Sequence, residues 1–333
     1  MTDTVTTQPP GVRVQLPAGD GRHGRRGPIL IAVSGLAALS LPAVVDTYTI
    51  SVASTAVVMA VLALSTQLLT GIAGLPSLGQ TAYLGVGAYT AADLARAGLT
   101  LGPVLLAAAA LAGAAAAAVT APLALRARGT TFLMVTFALG QLAYITAGHA
   151  TVLTGGDEGL SVPPVVAWPG MTGLRAEGYL YLYLLVCLLA LCAVTALLLR
   201  SRFGLILRGI ADHEPRMAAL GHRVSLELFA GYVAAGALAG AGGALLVAAH
   251  RYLSPDDLGF DVAALALLAA AIGAGSMLGA IAGAVLVVAV RDLAGDTTSG
   301  HATALLGLAF IVVAYRPTVT GWLRARSALR RRA

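Results

Sequence analysis

The chain has 333 residues, 58% of them hydrophobic and 11% charged, with a mean hydropathy of +0.85, which excludes an ordinary soluble globular domain. Its net charge of +6 comes from 21 arginines and no lysine. The arginines sit beside apolar runs and form no basic stripe with interleaved aromatics, which excludes a nucleic-acid partner, and the missing lysine excludes a Walker A phosphate loop.

Residues 1–27 are rich in Gly, Pro and Thr and end on Arg22, Arg25 and Arg26, too polar to fold alone, and are expected to form a disordered cytoplasmic tail. Apolar runs follow at 28–45, 49–70, 77–95, 101–125, 130–149, 179–199, 225–249, 262–290 and 297–315, and a basic cytoplasmic tail closes the chain at 316–333. The first run is longer than a signal-peptide core and lacks a small-x-small cleavage site, so it reads as an uncleaved span. The run 262–290 would extend about 43 Å as one helix, against a hydrocarbon core of roughly 30 Å. Gly273 and Gly275 interrupt it, so it is predicted to be two short helices in a hairpin. That reading leaves both termini cytoplasmic and only Arg96, Arg175, Arg251 and Arg291 outside, as the bias of basic residues toward the cytoplasmic side requires. A single crossing would put the C-terminal arginines outside and nearly abolish the bias. The predicted fold is therefore an all-α, multi-pass protein of the bacterial cytoplasmic membrane, with eight full spans, a Gly-broken hairpin and a permease domain over 28–315.

Few residues carry chemistry. Cys187 and Cys192 read as small apolar residues within one run, and the six histidines are scattered, so neither a metal nor any other cofactor is expected in this chain. No His-Glu-x-x-His or Gly-x-Ser-x-Gly motif points to an enzyme, and His213-Glu214 lacks a second histidine. An ion-coupled secondary transporter of a small polar solute is the alternative, but it needs ionisable groups amid its helices, whereas Asp93, Asp261 and Asp292 fall at span ends. Driving force must then come from other subunits.

Two kinds of segment stand out. The cytoplasmic loop 200–224 mixes charge with small apolar residues. Asp212 is expected to cap a short helix that tolerates Pro215 in its first turn, Ala218 and Ala219 permit close approach of a partner, and Gly221 ends the helix. Arg208 and Glu214 complete this candidate coupling element. Residues 71–92 hold Gly85 and Gly87 with Ser77, Gln80, Thr81, Tyr83 and Tyr89, too many glycines and polar groups for a lipid-facing span. They are expected to share a solute path with a second Gly-interrupted segment around Gly273, Gly275 and Ser276, an arrangement that brings half-helix ends to a polar solute. Thr136 and Gln141 in the run 130–149 are added to that path. Gly155, Gly156, Asp157 and Glu158, in the long outer loop, form a candidate receiving surface for an external protein.

The loop 200–224, with Ala218, Ala219, Leu220 and Gly221, resembles the coupling loop of ABC importer permeases. Ser77–Ala92 (SLGQTAYLGVGAYTAA), Leu125–Gln141 (LRARGTTFLMVTFALGQ), Leu153–Leu160 (LTGGDEGL), Ser254-Pro255-Asp256 and Gly273–Gly283 (GAGSMLGAIAG) are similar to segments of the branched-chain amino acid permease family of those importers, in its LivM-type subunit. Gln80 stands where that family usually carries a histidine, and the Gly-rich tip at 273–276 is one residue short of its pattern. The resemblance implies transport of branched-chain amino acids or a related small polar solute. It also implies a second homologous permease subunit, two ATP-binding subunits that hold the ATP, and an extracytoplasmic solute-binding protein.

Overall fold

The computed structural model describes residues 46–166, 177–273, 275–297 and the single position 307. The tails, the apolar run 28–45 and nearly all of 297–315 lie outside the described residues. Those described are almost wholly helical: α1 (Thr47–Gln67), α2 (Gln80–Arg96), α3 (Gly102–Ala124), α4 (Thr130–His149), α5 (Glu177–Arg200), α6 (Arg202–Ala219), α7 (Val224–His250), α8 (Phe260–Ile272) and α9 (Met277–Thr297). Five of the helical segments are long and apolar enough to cross a bilayer, beginning at Thr47, Gly102, Thr130, Gly178 and Val224.

α1 and α7 form the buried centre, and α3, α4 and α5 each turn a broad apolar face outward. Apolar helices gain little from hydrophobic burial against one another in lipid, so their association rests on close packing of small residues. α3 supplies such a face at Ala109, Gly113, Ala117 and Ala121, all buried, and α7 meets it with Gly236 and Gly240. A Cβ on Gly240 would run into the Ala109 carbonyl, and one on Gly243 into the backbone of α2 at Leu84 and Ala88.

The connections separate to two ends of the bundle, as the arginine pattern requires. At one end Gly74 packs on Ala211 of α6, and Arg128 pairs with Glu214. At the other, β1 (Leu160–Ser161) pairs antiparallel with β2 (Tyr252–Leu253), Val166 bridges to Leu101, and Tyr48 donates to Asp292 Oδ1 at 2.7 Å.

The run 262–290 is broken where expected, and its two arms pack against each other in opposite directions: Gly273 lies on Ala280 and Gly283 on Ala269. The arms are unequal, however. α8 has 13 residues and α9 has 21, continuing past the expected end at 290 because nothing at Arg291 or Asp292 breaks the helix. The segment 77–95 also differs: the helix begins at Gln80, leaving Ser77 and Gly79 in the preceding turn.

Candidate coupling arm and polar seam

The predicted loop 200–224 is a helical arm. Gly204, Leu207 and Ile210 bury one face of α6, with Leu207 and Phe203 lying over Gly231 of α7, while Arg208 and Asp212 face solvent. At His213 the backbone becomes extended (φ −160°, ψ 92°), and a second helical piece starts there. The Arg216 N–H donates to His213 Nδ1 at 3.3 Å, so the cap is His213 and not Asp212, while Pro215 sits in the first turn as expected. Both side chains are capable of capping; the position of the bend decides between them. The far end closes with the Gly221 N–H donating to Ala218 O (3.0 Å) and the His222 N–H to Met217 O (3.2 Å), with Gly221 at φ +89°. This Schellman arrangement favours glycine at that point. Ala218, Ala219 and Gly221 are exposed, and Leu220 is 69% exposed, a small apolar knob at the tip of the arm. Arg128 holds the arm, donating from Nε and Nη2 to the two oxygens of Glu214 at 3.1 and 3.0 Å.

The residues assigned to a solute path divide into two groups. Ser77 and Thr136 build the turn that opens α2: Ser77 Oγ accepts from the Gly79 N–H, and Thr136 Oγ1 accepts from the Leu78 N–H and donates to Leu133 O. Gly87 lies against the backbone of Gly240 and serves helix contact, whereas Gly85 lies under the Leu258 side chain and lines the same cavity as Tyr89. Thr81 is buried beside Gly140 of α4, and Gln141 is half-buried. The remaining side chains form a polar seam through the bundle. Tyr83 Oη lies 2.6 Å from both Thr120 Oγ1 and Tyr232 Oη, joining α2, α3 and α7. Ser65 Oγ lies 2.7 Å from both Gln80 Oε1 and Ala235 O, and a single hydroxyl proton serves only one of them. Gln80 is 2% exposed and its Nε2 has no partner among the described residues. Tyr89 Oη is likewise unpartnered and borders a cavity of about 470 Å³ between α2, α3 and α4, lined also by Tyr83, Thr120 and Thr146.

At the hairpin, Ser276 caps α9, accepting from the Gly279 N–H at 3.1 Å, and Gly275 adopts φ +82°. Gln67, which sequence reasoning passed over, bonds this tip through its side-chain amide. Its signal was present as an amide inside an otherwise apolar run. On the opposite end, Gly155 (φ +73°) and Gly156 (φ +64°) form a tight turn that presents Asp157 and Glu158 to solvent, with Glu158 O accepting from Tyr252 Oη at 2.7 Å.

A sequence profile of the family described as branched-chain amino acid transport system / permease component matches residues 48–314. The chain belongs to that family. It is 28% identical over 334 aligned positions to the high-affinity branched-chain amino acid transport system permease protein LivM of Escherichia coli K12, covering 92% of this chain and 77% of the relative. The protein of the same name from Salmonella typhimurium LT2 is 27% identical, with the same coverage. No solved structure gives a significant match. The permease family and the apolar helices together make this chain a multi-pass protein of the cytoplasmic membrane.

Proposed function

We propose that this permease is the membrane subunit of a binding-protein-dependent importer that carries branched-chain amino acids, or a closely related small polar solute, using ATP hydrolysed by separate subunits. The observation that carries the reading is the exposed knob Ala218–Gly221, held out on a capped arm whose root contacts the turn leading into α2. Exposed apolar residues flanked by alanines and a glycine suit a cleft on a partner, and in this family the fitting partner is an ATPase. Two copies of the ATPase and a second homologous permease complete the membrane assembly. The turn at Gly155–Glu158, at the opposite end of the bundle, receives the solute-binding protein. The polar seam around Gln80, Tyr83 and Tyr89 offers unpartnered buried hydrogen-bonding groups to a polar solute passing between apolar helices.

The test is ATP hydrolysis by the reconstituted complex with leucine-loaded binding protein. Gly221→Trp and Ala219→Asp are expected to abolish the leucine-stimulated part while the chain still inserts, since a side chain at Gly221 opposes its left-handed backbone and both fill the docking face. Stimulated hydrolysis at the wild-type rate in both variants contradicts docking through this knob. Uptake that follows a proton gradient without ATP supports an ion-coupled carrier instead.

A further inference from the structure

Directly after α1 the helix leaves α geometry. Leu68–Ile72 forms a π turn, with the Ala73 N–H donating to Leu68 O at 3.2 Å. Such turns are uncommon and concentrate at functional sites. Gln67 stands at its start, 1% exposed. With its carboxamide turned so that both ends meet complementary groups, its nitrogen donates to Ala270 O at 2.7 Å and its oxygen accepts from the N–H of Gly275 at 2.9 Å and, at 3.1 Å, shares the N–H of Ser276 that also donates to Gly273 O at 2.9 Å. One side chain thus binds both sides of the break between α8 and α9, where backbone groups lack regular helical partners and lipid supplies none.

The surroundings are shaped to this contact. A Cβ on Gly71, inside the π turn, would run into the Gln67 carboxamide. One on Gly275 would lie 3.6 Å from Gly71 O. Three residues beyond Gly71, Gly74 (φ +72°) packs on the arm: a Cβ there would lie 3.2 Å from Ala211 Cβ. Ala211 stands two residues before the bend at His213, on the same helical arm that carries the exposed knob. The contacts therefore run without interruption from the arm through Ala211, Gly74 and the π turn to Gln67 and the hairpin tip. A π turn that relaxes to α geometry rotates the backbone on one side of it by roughly 100° relative to the other. A push at Gly74 is thereby converted into a change of angle between Gln67 and Gly275.

We propose that Gln67 is a positioning residue: its amide latches the broken-helix tip to the π turn, and movement of the coupling arm against Gly74 releases the tip. This rests on the importer reading above, and the two fail in different experiments. In the purified chain alone, the amide of Gly275 should exchange with solvent deuterium about tenfold faster in Gln67→Met, an isosteric apolar replacement, than in wild type, while that of Ser276, which also donates to Gly273 O, changes less. Gln67→Glu keeps an acceptor oxygen toward the Gly275 N–H, though it gives up the amide donor to Ala270 O, and should retain more of the protection than Gln67→Met. In the reconstituted complex, Gln67→Met should hydrolyse ATP yet move several-fold less leucine per ATP, an effect a purely stabilising side chain would not produce. In the wild-type complex, trapping the ATPases closed with a non-hydrolysable nucleotide should speed exchange at the tip, a measurement that needs no variant to fold. Wild-type exchange together with wild-type leucine per ATP in Gln67→Met overturns the latch, and so does a wild-type tip that ignores nucleotide. A wild-type complex that moves leucine without consuming ATP overturns the importer reading, while the exchange comparison in the isolated chain still decides whether Gln67 holds the tip.

Discussion

The hydroxyls of Tyr83, Tyr232 and Thr120 meet where α2, α3 and α7 cross, and the two tyrosine rings stand edge to face with centroids 5.7 Å apart. Phe132 of α4 also packs edge to face with Tyr232, their centroids 6.2 Å apart. Thr120 Oγ1 also bonds Ala116 O at 3.0 Å within its own helix, so removing the Tyr83 hydroxyl deprives chiefly Tyr232, and removing that of Tyr232 takes one of two partners from Tyr83. Tyr83→Phe is expected to cost about 1 kcal/mol. Tyr232→Phe should cost a similar amount, and the double variant little more than either alone. Thermal unfolding in detergent measures this, and strictly additive losses would show that the hydroxyls do not act as a unit. At this scale the sequence was a partial guide. It marked Gln80, Tyr83 and Tyr89 as too polar for a lipid-facing helix, and all three sit in the bundle's polar seam. It did not separate Gly85, which lines the cavity beside Tyr89, from Gly87 and Thr136, because a glycine beside a path and a glycine under a crossing helix look alike until the neighbour is known. Gln67 escaped for the same reason: its role depends on Ala270, Gly275 and Ser276, two hundred residues away.

Among the elements, α4 runs from Thr130 to His149, the span expected from hydropathy, because Gly129 at φ +59° starts it and Ala150 ends it sharply. The arm α6 shows what hydropathy misses. Its polar surface reads as a loop, yet Gly204, Leu207 and Ile210, at helical spacing, pin it against α7. The π turn was hidden for a different reason, since the hydrogen-bond register changes at Leu68–Ile72 without a proline or a charge to mark it. The Arg128–Glu214 pair is the arm's tie to the loop between α3 and α4, and both side chains are more than a third exposed. A pair so exposed contributes little to stability, about 0–1 kcal/mol. Arg128→Gln should therefore leave the melting temperature almost unchanged while lowering leucine-stimulated ATP hydrolysis, because an untethered arm transmits movement poorly. The charge-swapped pair Arg128→Glu with Glu214→Arg should recover most of that hydrolysis. A large loss of stability, or no recovery on swapping, would contradict a tether.

For the molecule as a whole, the arginine count anticipated which connections share an end. Gly74 with Ala211 and Arg128 with Glu214 gather at one end, and the β1–β2 pair, Tyr48 with Asp292 and Leu101 with Val166 at the other. The hairpin of α8 and α9 returns the chain to the side it came from, as the same count required. Helix lengths inside the hairpin were not legible, because glycines mark where a helix breaks and not how far the next one runs. The knob at Gly221 and the turn at Asp157 thus stand at opposite ends of the bundle, and the proposed transfer of energy from ATPases requires these ends to lie on opposite faces of the membrane. The direct measurement uses a variant lacking Cys187 and Cys192, with one cysteine introduced at Gly221 or at Asp157, treated with a membrane-impermeant thiol reagent in intact cells and in inverted vesicles. Cysteine at 157 should label in intact cells and cysteine at 221 only in inverted vesicles; labelling of position 221 from outside intact cells would contradict the account.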